Sequence, residues 1–265
     1  MAYRHCMALV EVRDSQGDTA VGAAFHIGDG FYVTARHVAD NEITSFIPIG
    51  PFGQPDLRDR PRVNRVLLAD DEVDLALLDT GYQPRLPSYA PGRDRHHESE
   101  IPIGGHLDDW LDEGMTLFEV ILMGFPPVPQ ARSPVLIATA GHINAVVDTY
   151  AGPHPHFIVS AIPRGGYSGG PVIYQDFLIG VVTDSLVEDG APAELGYAAA
   201  ISVEPLWNLL HANGIYPGSN ADFLSAIYDH DKNAERRLLS RQVRFSRSLR
   251  MRASRYLLLL RRRDR

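Results

Sequence analysis

The chain has 265 residues, 45% hydrophobic and 22% charged, the composition of a globular protein able to bury a sizeable core. The longest purely apolar run near either end, Leu257 to Leu260, is far short of the ~20 residues a spanning helix needs, so no transmembrane segment is expected. The net charge of −8 is unevenly spread: residues 236–265 hold twelve Arg against one acid, Asp264, which leaves −19 on the remainder.

In chain order, residues 1–12 show no apolar stretch of signal-peptide length, and Glu11, Arg13 and Asp14 follow at once. Cys6 is the only cysteine, so no internal disulfide can form. Both features predict a reducing, cytoplasmic setting. Short apolar runs then alternate with turn chemistry: Met7–Val12, Ala23–Ile27, Tyr32–Ala35, Arg65–Leu68, Leu75–Leu78, Phe118–Met123, Val135–Ala140, Phe157–Ser160, Pro171–Tyr174, Leu178–Thr183 and Tyr197–Ile201. About eleven strands with no convincing helix between them predict an all-β sandwich or barrel. The stretch 80–113, rich in Pro, Gly, His and acid, reads as a long surface connection. Helical periodicity begins only near Val203, with Pro205 at the start, Leu206, Leu209 and Leu210 on one face, and Asn213-Gly214 as the stop. A second helix is expected from Ser219 or Asn220, on Phe223, Leu224 and Ile227.

Three segments carry chemistry: Thr34-Ala35-Arg36-His37, Asp74-Leu75-Ala76-Leu77-Leu78, and Gly165-Gly166-Tyr167-Ser168-Gly169-Gly170-Pro171. A serine hydroxyl needs an adjacent base to take its proton, and an imidazole titrates near operating pH. A carboxylate is needed to hold the imidazole tautomer, and glycines let amide N–H groups converge on one oxyanion. Any one segment alone has an ordinary structural explanation. Together they are specific, in the order His37, Asp74, Ser168, with separations of 37 and 94 residues.

On these residues the chain resembles the trypsin-like (chymotrypsin-fold) serine peptidases, especially their cysteine-poor bacterial branch, over about residues 8–213. Gly22-Ala23-Ala24-Phe25 and Met123-Gly124-Phe125-Pro126 are similar to further segments of that family. The resemblance implies two six-stranded antiparallel barrels with a site in the cleft between them. It implies a peptidase domain over 1–213, divided near 80–115 and closed by a helix at about 203–213; beyond it the composition reads as a helical or disordered Arg-rich extension over 214–265. By it, His37 is the general base and then acid, Asp74 its orienting partner and Ser168 the nucleophile, with the Gly166 and Ser168 N–H groups as oxyanion hole. Asp70, Asp71 and Asp79 are rivals for the carboxylate, ranked lower because only Asp74 is followed directly by Leu-Ala-Leu-Leu. Tyr167 stands where zymogen-activated members carry an Asp, so activation by that ion pair is not expected. Ile162 in place of an acidic pocket floor argues against Lys/Arg selection; Arg164 at the rim and Thr183 complete the expected substrate pocket.

The expected activity is serine endopeptidase, intracellular and either regulated or narrowly specific. The alternatives are a catalytically silent binding module acting through the Arg-rich end, and an esterase using the same site. His96-His97, His106 with Asp108 and Asp109, and His154 with His156 lack the spacing of a zinc site. No phosphate-binding loop is present, Lys232 being the only lysine, so no metal or cofactor is expected. Residues 236–265 read as a solvated tail or as a basic amphipathic helix. As a helix they would dock on a protein partner or this chain's own acidic surface, with nucleic acid or an anionic membrane as weaker alternatives.

Overall fold

A computed structural model describes residues 3–50, 54–85, 99–104, 115–147, 154–161, 165–185, 187–188, 191–192 and 196–218. The chain divides into two units, Met1–Asn220 and Ala221–Arg265, and every described residue belongs to the first. The second helix expected near residue 220 and the Arg-rich end lie outside the described residues.

The first six strands are β1 (Met7–Arg13), β2 (Thr19–Gly28), β3 (Phe31–Thr34), β4 (Glu42–Pro48), β5 (Arg65–Leu68) and β6 (Ala76–Asp79). They form one antiparallel sheet in the order β4-β1-β2-β3-β6-β5. Side chains alternate across a strand, so Ala8, Val10 and Val12 point to the same face. They join Ala24, Tyr32, Phe46, Ala76 and Leu78 in one buried cluster. The opposite face, with Met7, Leu9, Phe25, Val33 and Leu77, is buried as well. That double burial explains why these strands read as continuous apolar runs. The second set is β7 (Glu119–Gly124), β8 (Ile137–Val147), β9 (His156–Val159), β10 (Pro171–Tyr174), β11 (Phe177–Ser185), the minor hairpin β12 (Val187–Glu188) and β13 (Ala191–Pro192), and β14 (Ala198–Ser202). Six of them close a barrel, β10-β11-β14-β9-β8-β7, in which β7 returns to β10 with Leu122 opposite Val172. The fold is therefore mostly β, with two six-stranded antiparallel barrel-like sheets as expected.

Among the described residues a 3-10 turn, Arg4–Cys6, precedes β1, and two α-helices accompany the strands: α1, the single turn Arg36–Ala39, and α2, Glu204–Ala212. Helix α2 buries Leu206, Trp207, Leu209 and Leu210, and ends where Gly214 takes φ +63 and Ile215 N–H reaches back to Leu210 O. Several elements differ from the sequence reading, among them the single turn α1 and the minor hairpin β12-β13. Strand β4 was not expected, because Thr44 and Ser45 interrupt its apolar pattern; its register with β1 shifts between Glu11 and Val12. Part of the 80–113 stretch is not a surface connection. Ile101 and Ile103 are buried, Ile101 N–H donates to His26 O in β2, and Leu178 N–H donates to Pro102 O from β11. Trp207 Nε1–H donates to Gly104 O at 3.0 Å. Residues 99–104 are thus a strap stitched to both sheets and to α2.

His26 holds one end of this strap. Its ring is fully buried on β2, with Nδ1 2.6 Å from Ser99 O and Nε2 accepting the Gly30 N–H at 3.1 Å. Those partners require the neutral ring with its proton on Nδ1. Burial pushes its pKa down to about 4, with nearby His5 adding slightly; the Ser99 carbonyl and Asp29 pull weakly the other way. Unfolding returns the ring to its ordinary 6.5, so between those values the unfolded chain binds more protons. Stability contributed by neutral His26 is therefore present above pH 6.5 and is lost as pH falls toward 4. The loss should be about 3 kcal/mol once both states are protonated. Denaturant titrations from pH 7 to pH 4 should show this decline, and His26→Gln should be less stable at pH 7 with a flatter profile. An unchanged slope in the variant would remove His26 from this role.

Candidate functional site

Strand β3 ends at Thr34, whose buried hydroxyl donates to Ala23 O of β2 at 2.7 Å. Ala35 stays extended, with φ −73 and ψ 146, and the chain then turns into α1. A helix's first N–H groups have no acceptor within the helix, and Ala35 has no side chain to cap them. Asp74, from just ahead of β6, supplies one: its Oδ1 accepts the His37 backbone N–H at 2.9 Å. Its Oδ2 lies 2.8 Å from His37 Nδ1. One carboxylate thus holds both the main chain and the ring of the same residue. The contact favours a proton on Nδ1 and leaves Nε2 as the basic nitrogen. The His37 side chain is 50% exposed and that of Asp74 32%, so the pair sits at a rim open to solvent. Asn41 Nδ2 donates to His37 O at 2.7 Å and holds the far end of the turn.

The loop carrying Asp74 is tied down by Arg36, the neighbour of His37. Its Nη1 donates to Ala69 O at 2.7 Å, its Nη2 to Asp71 Oδ1 at 2.8 Å, and its Nε to Asp40 Oδ2 at 3.3 Å. Those acids hold the Arg36 pKa above its already high value. Asp71 is thereby engaged elsewhere, and Asp79 faces Arg65 at 3.7 Å. Of the four acids weighed from the sequence, Asp74 is the one bonded to His37.

Ser168 comes from the second sheet, in the turn before β10. Its carbonyl accepts the Ala23 N–H at 2.8 Å, so the turn docks on β2 of the first sheet. Gly169 has φ +81, and a Cβ there would meet Ala23 O, Thr34 Oγ1 and the Ala35 N. Only glycine allows that approach, which brings Ser168 beside the segment leading into His37. Gly169 N–H donates to Val182 O, Gly170 N–H to Tyr167 O, and Phe125 N–H to Gly166 O, each at 2.8 Å. Gly166 has φ +96, and a side chain there would strike Phe125 O. Among the described residues, the Gly166 and Ser168 N–H groups donate to no acceptor. Two such donors, flanking one residue, can receive an anionic oxygen.

Of the expected pocket residues, Thr183 is buried on β11 with its hydroxyl turned to Ala199 O at 3.4 Å. Ile162 and Arg164 lie outside the described residues, as do His96, His97, His106, Asp108 and Asp109. Among the described residues no three His, Cys, Asp or Glu are grouped to hold a metal ion. His156 is buried, with Nδ1 3.0 Å from His154 O, and burial lowers its pKa, while the charge of Asp74 opposes that shift. Sequence reasoning missed two features: the Arg36 clamp and a contact between the Tyr167 hydroxyl and Thr139 Oγ1 at 2.7 Å. The signal for the first was a guanidinium beside His37 and a run of acids before Asp74; nothing local signals the second.

A family model described as the trypsin-like peptidase domain matches residues 22–181. Among curated proteins none matches the sequence. Among solved structures, the active form of the Rv3671c protease from M. tuberculosis is 17% identical with a TM-score of 0.56, covering 83% of this chain and 86% of that one. HL collagenase is 15% identical at a TM-score of 0.57, with 81% and 96% covered. The HtrA-type protease AlgW with a tripeptide is 18% identical at 0.55, covering 80% of this chain but only 60% of its own. At these identities the likeness is one of fold.

The clamp predicts a local effect. Arg36→Ala should free the 69–74 loop, and exchange of the Val73 and Leu75 amides should accelerate by about tenfold or more while β1 and β2 amides keep their rates. Arg36→Lys should not restore protection, because a single ammonium cannot span the three acceptors. Unchanged protection in Arg36→Ala would show that the loop is held by other means.

Proposed function

Because the chain belongs to the trypsin-like peptidase domain family and is a serine peptidase, we propose that it is an endopeptidase working through an acyl-enzyme on Ser168, His37 and Asp74. The observation that carries this reading is the double contact of Asp74 with His37, at 2.9 Å to the main-chain N–H and 2.8 Å to Nδ1. It supports a ring whose Nε2 is a ready base. The docking of the Ser168 turn on Ala23, Thr34 and Ala35 supports the same assignment.

In this scheme Ser168 Oγ gives its proton to His37 Nε2 as it bonds to the scissile carbonyl carbon. The carbonyl oxygen takes up the charge and is met by the Gly166 and Ser168 N–H groups. Asp74 stabilises the imidazolium without itself taking the proton. Collapse breaks the C–N bond, and His37 Nε2–H protonates the leaving amine. Water then repeats both steps on the acyl ester, releasing the acid and restoring Ser168. The tripeptide held by AlgW supports peptides as the substrate class. By the family resemblance Ile162 would stand in place of an acidic pocket floor, which supports a small or apolar residue before the cut. The single Cys6 supports work in a reducing compartment, the cytoplasm, where narrow specificity or a regulatory partner would restrain the activity. The Arg-rich end is the proposed docking element for that partner.

A fluorophosphonate should label Ser168, and Ser168→Ala should lose both labelling and a factor of about 10⁶ in kcat. Asp74→Asn should cost about 10⁴ in kcat, since an amide would favour the wrong tautomer. Equal labelling of wild type and Ser168→Ala would refute the assignment. A chain ending at Gly218 should keep short-peptide kcat/KM within about 100-fold; a larger loss with circular dichroism unchanged would mean that the extension helps to build the cleft.

A further inference from the structure

Tyr167 lies between the two residues whose N–H groups are proposed to receive the oxyanion, and its side chain reaches into the wall of the second barrel. Its hydroxyl meets Thr139 Oγ1 of β8 at 2.7 Å. The ring is buried and lies on Gly124 at the end of β7, where a Cβ would come within 2.7 Å of Tyr167 Cα and Cδ1. Strands β7 and β8 are paired through this region, Leu122 opposite Thr139 and Gly124 opposite Ile137. The ring is thus seated on one strand and bonded at its tip to the next.

The main chain of the same residue is held on both sides. Gly166 C=O accepts the Phe125 N–H and Tyr167 C=O accepts the Gly170 N–H, each at 2.8 Å. The second bond fixes the peptide plane that carries the Ser168 N–H, because a peptide's C=O and N–H point oppositely within one plane. Four of the six residues from Gly165 to Gly170 are glycine. Such a segment has many backbone conformations open to it, and orienting two donors toward one point requires that this freedom be removed. Tyr167 supplies the one long side chain in the run. Burial raises its pKa, so the phenol stays protonated through the neutral range and the bond to Thr139 persists there.

We propose that Tyr167 is a positioning residue for the oxyanion site: anchored through Thr139 Oγ1, it holds the Gly166 and Ser168 N–H groups in place before substrate arrives. The proposal rests on the reading of Ser168 as nucleophile. Donors already in place at the developing charge need no reorganisation during the reaction, so their loss is felt in the chemical step rather than in substrate binding. Phenylalanine would fill the same seat without the hydroxyl, which separates the anchor from the packing of the ring.

The test uses the full chain as wild type, Tyr167→Phe, Thr139→Val, the double variant and Thr139→Ser. Each is assayed for kcat and KM on a short peptide. Each is also assayed for affinity toward a peptidyl trifluoromethyl ketone, whose adduct with serine places an oxyanion in the site, and toward the matching product peptide. Tyr167→Phe and Thr139→Val should each lower kcat by about 10- to 100-fold with KM within about threefold. Ketone affinity should fall by the same factor, and product affinity should not. The double variant should be no worse than either single one, because both remove one shared bond. Thr139→Ser should recover kcat to within about threefold of wild type. Thr139→Val breaks the bond from outside the loop and decides the matter if Tyr167→Phe does not fold. Unchanged kcat in the single variants, a loss confined to KM, or losses that multiply in the double variant would overturn the proposal. Fluorophosphonate labelling separates the two assignments. No labelling of wild type at Ser168 overturns both, whereas equal labelling rates in wild type and the single variants overturn only the role of Tyr167.

Discussion

The site depends on one close approach, that of Gly169 to Thr34 and Ala35. His37 and Asp74 belong to the first sheet and Ser168 to the second, so no single element can set their relation. It is set by backbone: Ser168 C=O takes the Ala23 N–H, and Gly169 lies where any Cβ would collide with Ala23 O and Thr34 Oγ1. Thr34 contributes from the other side, its buried hydroxyl donating to Ala23 O at 2.7 Å. A backbone joint of this kind tolerates little motion, which suits chemistry in which reacting atoms must stay within tenths of an ångström. The strap 99–104 makes a second joint between the sheets, bonding to His26 in β2, Leu178 in β11 and Trp207 in α2.

The electrostatics of the His37 rim follow from acids crowded on a short loop. Asp70, Asp71, Glu72 and Asp74 fall within five residues, and their mutual repulsion favours an extended, spread loop. Arg36 opposes this from the neighbouring helix. The Asp71 side chain is 95% exposed while that of Arg36 is 19% exposed, so water screens that ion pair heavily. The bond to the Ala69 carbonyl is part-buried and directional, and we assign the positioning to it more than to the charge. Asp74 is then free to cap α1 and hold the ring, two tasks for one carboxylate.

What could be read from the sequence divides along the range of the forces involved. Strands β1, β5 and β10 were legible because their apolar runs are local and bounded by turn residues. Glycines 166 and 169 were legible because each is demanded by a backbone contact that no other residue permits. The pairing of His37 with Asp74 was legible through the apolar strand following the acid. The single turn α1 is too short to carry a periodic signal, and β4 is broken by its bulge. Residues 99–104 were hidden because Ile101 and Ile103 sit within a stretch whose composition is otherwise polar. The Arg36 clamp and the Tyr167–Thr139 bond join residues about 30 apart across different elements, and no spacing rule reaches that far.

The first strand constrains how such a peptidase can be controlled. β1 lies between β4 and β2, paired along its whole length with β2 from Met7 opposite Phe25 to Arg13 opposite Thr19. His5 and Cys6 ahead of it are already buried, and the Tyr3 hydroxyl donates to Asp176 O at the turn between β10 and β11. A cut that made a new amino terminus beyond Cys6 would shorten a central strand and open the buried cluster of Ala8, Val10 and Val12. Removing even one or two such side chains from a core costs several kcal/mol, a large share of a domain's stability. Tyr167, which stands where the family resemblance would put the acid that receives a new terminus, is bonded instead to Thr139. Both facts weigh against assembly of the oxyanion site by a cut beyond Cys6.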